Sequence, residues 1–413
     1  MRRDAAPGGA RVVVTGMGVL SGFGAGRDVF AQGLFSGRSA IREIASFDTS
    51  ALACHFGAEL PEFTGNDLIR KSEHQFYDRV SLMAMAAADE AIGQAGLDPA
   101  EIGPVAGVMM GSAFGPAQAI QESVMRIAGS ERLRPTTIIK MMLNSPTAAL
   151  CARYGLRRAS TAHVTACAAS AHAIAQAVRS VQRDEMDICL AGGAEAFPTS
   201  SLFAAWDALA VMSPEADSPA GIMRPFAPSR RGFVIGEAAA VLVLEREDRA
   251  RARGAPILAE ICGVGAVSDA PTLAKPTLGG MVGAMQAALD DAGLASADIG
   301  HINAHGTGTE LNDALEREGI RQLFGTHAGA IRVSACKAAI GHCMGAGSAI
   351  EAVATILALQ RQEAPCAVDL GGEGWLAAGG AFTMQADAAL SNSFAFGGHY
   401  AALAFRRAGR PSP

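Results

Sequence analysis

One cysteine stands where a strand-like segment changes into a helix-like one. Cys167 lies among small residues in VTACAAS, residues 164–170, and the Ala-rich segment AHAIAQAV follows. A thiol at a helix N-terminus meets unpaired N–H groups and the positive end of the helix dipole, which favour the reactive thiolate. The alternative is a buried cysteine that serves as a small hydrophobic residue.

Two histidines lie in Gly-rich segments further along the chain. His305 belongs to INAHGTGTELND, where Gly306 and Gly308 predict a tight turn. His342 belongs to SACKAAIGHCMGAGSAIEA and follows Lys337 by five residues. A single histidine is more often an ordinary core residue. Two of them with a cysteine suit acyl-thioester chemistry, in which a thiolate attacks, histidine N–H groups stabilise charge on oxygen, and a cation sets the local field.

A second cysteine competes for the role of nucleophile. Cys336 lies in VSAC, which is similar to VTAC, and it precedes Lys337, whose charge would lower a thiol pKa. We interpret Cys336 as a packed neighbour of the site and Cys343 as a helix-packing residue. The eight cysteines contain no CxxC motif and no zinc-like His–Cys spacing, which predicts reduced thiols.

Composition limits the classes of protein. The chain has 413 residues, of which 50% are hydrophobic, and a net charge of −6, so it predicts a large core without a nucleic-acid-binding character. We expect neither a signal peptide nor a membrane span, and hence a cytoplasmic protein. The segment GMGVLSG near residue 16 lacks the GxGxxG spacing and is predicted to be a turn.

The sequence contains an internal repeat. AGLDPAEIG at 95–103 recurs as AGLASADIG at 292–300, and VTAC at 164–167 recurs as VSAC at 333–336. Repeated features in the same order indicate two copies of one α/β unit. We place the halves at residues 1–255 and 256–413, divided at the charged segment EREDRARARGAP, which could alternatively be a surface helix within one domain. Apolar runs predict buried central strands, namely RVVVTG, VAGVMMG, MDICLAGG, AAVLVLE, HINAHG and AALAFRR.

Several separated motifs carry a family resemblance. VTACAASAHAI, NAHGTGT, KAAIGH and SNSFAFGG, in this order, resemble the elongating β-ketoacyl-ACP synthases of type II fatty-acid and polyketide systems. RVVVTGMG, RPFAPSRRGFVIGE and the AGGAEA strand end extend the resemblance over nearly the whole chain. It implies an α/β thiolase fold, in which duplicated αβαβα halves form a five-layered core, and usually a dimer.

The resemblance also implies an activity, the decarboxylative Claisen condensation of an acyl group with malonyl-ACP. Cys167 would carry the acyl group as a thioester, while His305 and His342 would promote decarboxylation and hold the enolate oxygen. Lys337 would act electrostatically, paired with Glu351. The family implies an oxyanion hole from the backbone N–H groups of Cys167 and Phe396. It implies a gate that consists of Phe394, Phe396, Gly397 and Gly398. It also implies that the hydroxyls of Thr307 and Thr309 bind the pantetheine arm and that Asp313 and Glu316 are structural or ion-binding carboxylates.

The chain departs from the family pattern in ways that affect specificity. Ala395 replaces a glycine in the gate segment AFGGHY, so we expect a stiffer or differently posed gate. Phe114, at the acyl-pocket wall, predicts a preference for short, or flat and unsaturated, acyl chains. In SDAPTLAKP, Lys275 could reach a phosphate, although a solvated loop lysine is the favoured interpretation. Alanines expected to affect packing more than chemistry are Ala227, where aspartate is usual, Ala238 and Ala240.

The resemblance implies a partner but no resident cofactor or metal. An acidic acyl carrier protein would supply the phosphopantetheine arm, and the chain would form a homodimer, or a heterodimer with a chain-length-factor-like subunit. We expect no nucleic acid or membrane partner. Two rival functions are a non-catalytic chain-length-factor-like subunit and a degradative thiolase. Basic residues that could steer the carrier, or simply form a solvated face, are Arg70, Lys71, Arg79, Arg126, Arg132 and Arg134.

Overall fold

Ten strands form the two matching halves of the central sheet, which has thirteen strands among the described residues. The computed structural model describes residues 10–214, 221–369, 374–375 and 381–409. The first five strands are β1 (Val12–Ser21), β2 (Ala106–Gly111), β3 (Ser160–His163), β4 (Ile188–Glu195) and β5 (Ala238–Arg246). The second five are β6 (Ala259–Ser268), β7 (Ile299–Asn303), β8 (Arg332–Ser334), β9 (Ala388–Ala395) and β10 (His399–Arg407).

The two sets of strands have the same order and directions. In the first half the order is β3-β2-β4-β5-β1, and in the second it is β8-β7-β9-β10-β6. In each half the first three strands of this order are parallel, with β2 or β7 in the middle. The fourth strand, β5 or β10, is antiparallel to both of its neighbours. The halves join where β1 pairs with β6 at Val12–Val14. This symmetry is the internal duplication that the sequence repeats predict.

Six helices pack with the two halves of the sheet to form five layers. They are α1 (Arg79–Gln94), α2 (Ser145–Tyr154), α3 (Ala169–Gln182), α4 (Leu278–Ala292), α5 (Glu310–Phe324) and α6 (Gly347–Arg361). α1 packs with α2 beside the first half of the sheet, and α4 packs with α5 beside the second. α3 and α6 pack against each other and against strands of both halves. Every residue of α6 from 347 to 359 is buried, as a helix in a central layer requires. The predicted fold class is confirmed.

Shorter elements connect this core. Further α-helices are Arg27–Phe35, Ala117–Ala128, Thr137–Met141, Ser200–Ala208, Glu247–Ala252 and Lys337–Ile340, and 3₁₀ turns are Lys71–Glu73, Ala166–Ala168, Ser296–Asp298, Gly325–Ala330 and Met344–Ala346. Short strands are Gly24–Ala25, Arg42–Glu43, Phe56–Ala58, Ile235–Gly236, Glu363–Ala364, Ala367–Asp369, Gly374–Trp375 and Phe382–Thr383. Within the described ranges, no helix has the length and apolar character to cross a membrane.

The charged segment proposed as the boundary connects the last strand of the first half to the first strand of the second. It forms the end of β5, the short helix Glu247–Ala252 and the turn that leads toward β6. The division at residues 255 and 256 therefore stays a prediction.

The segment GMGVLSG is part of a strand, so its prediction as a turn is wrong. β1 continues through it to Ser21, and all ten residues of β1 are buried. A Cβ atom at Gly16 would collide with the backbone oxygen of Ala91 in α1, and one at Gly18 with that of Ala87. These glycines therefore permit close packing of the strand against the helix and do not form a turn.

We expect Gly16→Ala and Gly18→Ala to destabilise the protein, each by about 1–3 kcal/mol or more, because overpacking displaces rigid backbone. Gly93→Ala is the matched control, since a Cβ there meets nothing within 4 Å and the residue is helical. That substitution should stabilise the chain by up to about 1 kcal/mol. Denaturant unfolding checks this, and equal stabilities for all three variants would contradict the packing argument.

Candidate active site

The candidate nucleophile lies on a tight turn between a strand and a buried helix. Cys167 is in the 3₁₀ turn Ala166–Ala168, after β3 and directly before α3. Ala166 has a φ of 48°, in the left-handed region that residues other than glycine seldom adopt. Cys167 is only 9% exposed. The structure thus places the thiol at a helix N-terminus, where the sequence predicted it.

The second half contains an equivalent turn, but not at Cys336. The turn Met344–Ala346 precedes α6 as the turn Ala166–Ala168 precedes α3, and Met344 has a φ of 43°. The residue equivalent to Cys167 is therefore Gly345. VTAC directly follows β3, whereas VSAC begins inside β8, and the second half inserts the helix Lys337–Ile340 before its turn. This insertion carries Lys337 and leads to His342.

Cys336 has a different environment from Cys167. It is buried, and its thiol donates a hydrogen bond to Oδ1 of Asn303 at 3.0 Å. Burial raises the pKa of Cys336 well above the ordinary thiol value. Cys336 is absent from the described residues that line the catalytic cavity defined below. These contacts support its interpretation as a packed neighbour.

His342 directly contacts the thiol. Its Nε2 atom lies 3.1 Å from Sγ of Cys167, and its Nδ1 atom accepts a hydrogen bond from the backbone N–H of Met344 at 3.3 Å. Because an N–H donor faces Nδ1, the ring proton of neutral His342 resides on Nε2. Burial, and then the charge of Lys337, lower the pKa of His342 well below its usual value. The residue is a neutral imidazole whose N–H points toward the sulfur.

His305 is held in the same tautomer by Lys337. The Nζ atom of Lys337 lies 3.3 Å from Nδ1 of His305 and 2.5 Å from Oε1 of Glu351. An ammonium group can only donate, so Nδ1 accepts and the proton of His305 resides on Nε2. Burial, followed by the charges of Lys337 and His342, lowers the pKa of His305 well below its usual value. The predicted pairing of Lys337 with Glu351 is present, and each side chain is 1% exposed.

Burial has the largest effect on the pKa of the Cys167 thiol. It raises the pKa of Cys167 to about 12, although the positive charge of Lys337 acts in the opposite direction. The sequence-based expectation that the helix N-terminus favours a thiolate therefore does not describe the resting site. Cys167 rests as a neutral thiol, and its proton must leave as the substrate binds.

One cavity joins these groups. It has a volume of about 220 Å³, and Cys167, His305 and His342 all line it. The rings of the two histidines are nearly perpendicular, at 86°, with centroids 5.6 Å apart. Thr307 and Thr309 contribute hydroxyl groups that hydrogen-bond to each other at 2.9 Å. The remaining lining is largely apolar and consists of Trp206, Leu209, Val211, Phe233, Ala274, Pro276, Leu311, Asn312, Phe394, Ala395 and Phe396.

Two of the predicted gate residues, Phe394 and Phe396, line this cavity. Phe394 is buried and contacts the ring of His305, with centroids 5.9 Å apart, whereas Phe396 is 36% exposed. Gly397 and Gly398 have φ values of 79° and 68°, a conformation that glycine adopts more readily than other residues. Ala395 is the last residue of β9 and is not among the residues of positive φ. The absent glycine at 395 therefore leaves the strand undisturbed, and its effect on gate motion stays a prediction.

Phe114 and Lys275 are not among the described residues that line the cavity. Phe114 packs edge-on against Trp206, with centroids 6.3 Å apart, and Trp206 itself lines the cavity. Lys275 is exposed, whereas its neighbours Ala274 and Pro276 face the cavity. The acyl-wall role of Phe114 thus depends on its contact with Trp206.

The acidic pair after His305 holds the backbone of its turn. Glu316 accepts hydrogen bonds from the N–H groups of His305 and Gly306 at 2.8 and 2.9 Å. Asp313 accepts from the N–H groups of Gly308 and Phe226 at 3.1 and 2.7 Å. Over the described part of the chain, no group of three or more His, Cys, Asp or Glu residues is arranged to hold a metal ion. These contacts support the structural role for both carboxylates.

Sequence reasoning missed Glu195 as a positioning group. Glu195 is 2% exposed, and burial raises its pKa to about 7. Its carboxylate accepts hydrogen bonds from the backbone N–H groups of Phe114 and Gly345, at 3.1 and 3.0 Å, and from Ala113 and Ser112. It thereby connects the Phe114 segment to the turn that follows His342. An acidic residue at the end of the apolar strand MDICLAGGAEA was the available signal.

Sequence reasoning also missed an aromatic cluster centred on Trp206. The indole stacks on Phe396 at 6.0 Å and meets Phe233 edge-on at 5.6 Å, in addition to its contact with Phe114. Phe233 in turn packs edge-on against His342 at 5.3 Å. The rarity of tryptophan in this chain, which has two, was the only sequence signal.

The predicted basic patch is not at this cavity. Arg79 forms an ion pair with buried Glu237 at 2.5 Å and donates to the backbone oxygen of Phe63. These contacts hold it in the fold, and its role in steering a carrier stays a prediction. Arg126 pairs with two surface carboxylates and, with Arg134, lines a separate cavity. Arg70 and Arg132 are exposed, as is Lys71, in the 3₁₀ turn Lys71–Glu73. No member of this set is among the described residues lining the catalytic cavity.

Comparison with known proteins identifies the family. Residues 9–250 match the N-terminal domain of the β-ketoacyl synthases, and residues 258–370 match the C-terminal domain. The chain is 37% identical to Nodulation protein E of Rhizobium sp. (strain N33), over 96% of this chain and 99% of the relative. It is 36% identical to 3-oxoacyl-[acyl-carrier-protein] synthase 2 of Synechocystis sp., over 96% of this chain and 98% of the relative.

A solved structure agrees with this comparison. The ishigamide ketosynthase/chain length factor matches 97% of this chain and 100% of its own, with a TM-score of 0.89 and 31% identity. The chain therefore belongs to the β-ketoacyl synthase family. The predictions of an acyltransferase and of decarboxylative Claisen condensation in fatty-acid or polyketide synthesis are confirmed.

The lowered histidine pKa values predict that the condensation rate changes little between pH 7 and pH 6. Neutral imidazoles are the N–H donors, and a histidine of ordinary pKa near 6.5 would lose roughly threefold in its neutral fraction between pH 7 and pH 6. Since burial and Lys337 lower the pKa of both histidines well below that value, we expect the saturated condensation rate to change by less than about twofold over this interval. A pH–rate series, with circular dichroism to verify folding, checks this. A titration near pH 6.5 that follows His305 or His342 in NMR would contradict it.

Proposed function

We propose that Cys167 is the acyl-carrying nucleophile and that His305 and His342 are the decarboxylation residues. The observation that supports this most strongly is the convergence of two neutral imidazoles, both protonated on Nε2, with the Cys167 thiol in one cavity. Such donors can stabilise an enolate oxygen without acting as strong bases.

The proposed reaction has two half-reactions. Sγ of Cys167, losing its proton, attacks the acyl thioester of the carrier, and the leaving carrier thiolate takes up a proton. Malonyl-ACP then loses carbon dioxide, and the electron pair of the broken C–C bond forms an enolate whose oxygen accepts the Nε2–H bonds of His305 and His342. The enolate carbon attacks the acyl carbonyl on Cys167. The backbone N–H groups of Cys167 and Phe396 would hold the resulting oxyanion. Its collapse breaks the C–S bond and releases Sγ as a thiolate, which takes up a proton to restore the thiol.

Lys337 and Glu351 act through the histidines. The ammonium group keeps Nδ1 of His305 in the accepting role and lowers the pKa of both imidazoles. Glu351 is needed because an unpaired buried charge would be strongly destabilising, by several kcal/mol in typical proteins. Both are therefore positioning and electrostatic residues.

An acyl carrier protein is the proposed partner, in the cytoplasm. The name of the Synechocystis relative includes such a carrier. Its phosphopantetheine arm would enter the cavity beside Thr307 and Thr309, so no resident metal or organic cofactor is required. The ishigamide structure pairs a ketosynthase with a chain length factor, and we propose a dimer of this chain with itself or with such a subunit. A purely non-catalytic subunit is disfavoured, because Cys167 and His342 are at contact distance.

The expected acyl substrate is short, or flat and unsaturated. Phe114, Trp206 and Phe396 form one continuous aromatic cluster beside the cavity. Such a cluster occupies volume that a long, flexible tail would need, and it offers flat faces to a conjugated chain. This supports a specialised polyketide or polyene pathway over primary fatty-acid synthesis.

The nucleophile assignment predicts which cysteine is acylated. Incubation with acyl-ACP should add one acyl group to the native chain and to Cys336→Ala, but none to Cys167→Ala. Malonyl-ACP should then discharge the adduct as β-ketoacyl-ACP. Intact-protein and peptide mass spectrometry measure both steps. Mapping of the adduct to Cys336, or its persistence in Cys167→Ala, would refute the assignment.

The aromatic wall predicts a shift in chain length. Phe114→Leu should raise the acylation rate with saturated C14–C16 acyl-ACP relative to short acyl-ACP by roughly tenfold, because one buried side chain difference of this size changes discrimination by about 1–3 kcal/mol. Phe63→Leu, a partly buried residue that packs in a different core cluster, is the control. If C14–C16 chains are already the best substrates of the native protein, the proposal fails.

A further inference from the structure

Three aromatic rings contact Trp206, but only one of them is stacked on it. The planes of Phe114 and Phe233 are nearly perpendicular to the indole, at 84° and 75°. The ring of Phe396 lies at 21° to the indole, with centroids 6.0 Å apart. Trp206 and Phe396 both line the catalytic cavity together with Cys167. The stack of these two rings is therefore a flat apolar surface in the cavity that contains the thiol.

The indole is held firmly by the fold. Trp206 lies in the helix Ser200–Ala208, in which Phe203 is fully buried. The next residue, Asp207, accepts hydrogen bonds at 3.0 Å from the backbone N–H groups of residues 53 and 54. These contacts fix the helix on the core and on a neighbouring loop, so the position of the indole is set before a substrate arrives.

The ring of Phe396 is held less firmly. It is 36% exposed and precedes Gly397 and Gly398, the two glycines of positive φ. Over the described part of the chain, Trp206 is the only aromatic ring that contacts it. The N–H group of Gly397 donates to the backbone oxygen of Leu273 at 2.8 Å, but Leu273 itself is 81% exposed. The phenyl ring can therefore leave the stack at lower cost than the indole.

We propose that Trp206 is a specificity-determining residue, and that a planar, conjugated acyl chain takes the place of Phe396 on the indole when the chain is loaded on Cys167. This inference rests on the proposed function and deepens it, because it names the residue that recognises the chain and the chemical feature that is recognised. Phe114 limits the length of the chain in the proposed function, whereas Trp206 distinguishes chains of equal length.

The physical basis is an exchange of one stacked contact for another. A conjugated diene holds its carbons in one plane and offers a π face to the indole, so it replaces the contact that the displaced phenyl ring gives up. A saturated chain of the same length is not planar and replaces that contact poorly. The indole therefore favours the conjugated chain without any polar contact to it.

The test compares two substrates of equal length, the octa-4,6-dienoyl and octanoyl thioesters of pantetheine. Two methylene groups separate the diene from the thioester, so the carbonyl groups have similar reactivity. Initial rates of Cys167 acylation are measured by intact-protein mass spectrometry. The native chain should prefer the diene. Trp206→Leu should lower the ratio of diene to saturated rates by roughly fivefold, as expected for one lost aromatic pair, and Trp206→Phe should retain most of the ratio.

Two further variants are controls. Phe396→Leu should keep the ratio, because the indole remains available and the backbone N–H group of residue 396 is unchanged. Phe35→Leu should leave both rates unchanged, because its ring packs against Arg361 and is not among the described residues that line the cavity. Each ratio compares two substrates in one variant, so a partial loss of folded protein does not alter it.

Fluorescence measures the exchange directly. The chain has two tryptophans, so Trp375→Phe leaves Trp206 as the only indole. Loading of the dienoyl chain should change the emission of Trp206 more than loading of the octanoyl chain does. If Trp375→Phe does not fold, the difference between the native chain and Trp206→Phe gives the same signal. Equal emission changes for the two chains would contradict the exchange.

Each outcome of the rate measurements decides the inference. Equal rates for the two thioesters in the native chain, or an unchanged ratio in Trp206→Leu, overturn it and leave the assignment of the nucleophile intact. A ratio that falls as far in Phe396→Leu as in Trp206→Leu also overturns it, because the pair of rings and not the indole would then select the chain. If Trp206→Leu does not fold, the emission of Trp206 decides. Absence of acylation of the native chain by both thioesters and by acyl-ACP would overturn the proposed function, and the inference with it.

Discussion

The site depends on a buried ammonium group that cannot lose its partners. Lys337 lies between Glu351 and His305, at 1% exposure, and its charge lowers the pKa of both histidines while opposing the effect of burial on Cys167. A buried charge is tolerated when it is paired and hydrogen-bonded. The interaction that stabilises the lysine therefore also fixes the tautomer of His305, and it adds to burial in lowering the pKa of both imidazoles.

The duplicated fold brings these groups together. The turn before α3 supplies Cys167, and the helix and turn before α6 supply Lys337 and His342. The hydroxyl of Ser348 donates to the backbone oxygen of Cys167 at 3.1 Å, and the N–H group of Ala349 donates to Ser170 at 2.9 Å. Because buried hydrogen bonds join the two helix starts, the distance between thiol and imidazole is set by the core and not by a mobile loop.

The same arrangement links chemistry with selectivity. Glu195 accepts hydrogen bonds from the backbone N–H groups of Phe114 and Gly345, so the Phe114 segment and the turn after His342 share one carboxylate. Trp206 contacts Phe114, Phe396 and Phe233, and Phe233 is the ring that packs on His342. A substitution in the wall is thus expected to reach the catalytic turn through rigid packing.

Local patterns in the sequence by itself indicated acyl-thioester chemistry and a duplicated α/β unit, and the resemblance to a known family implied the condensation reaction and the thiolase fold. A cysteine between strand and helix, two histidines in Gly-rich turns and a repeated α/β unit are visible in the order of residues. Tertiary structure decided what depends on contacts between distant segments. Gly16 and Gly18 resembled turn residues but pack against α1. Arg79 resembled a surface cation but pairs with Glu237. Burial raises the pKa of the Cys167 thiol. Packing and burial act across the chain, and no local pattern encodes which segments will meet.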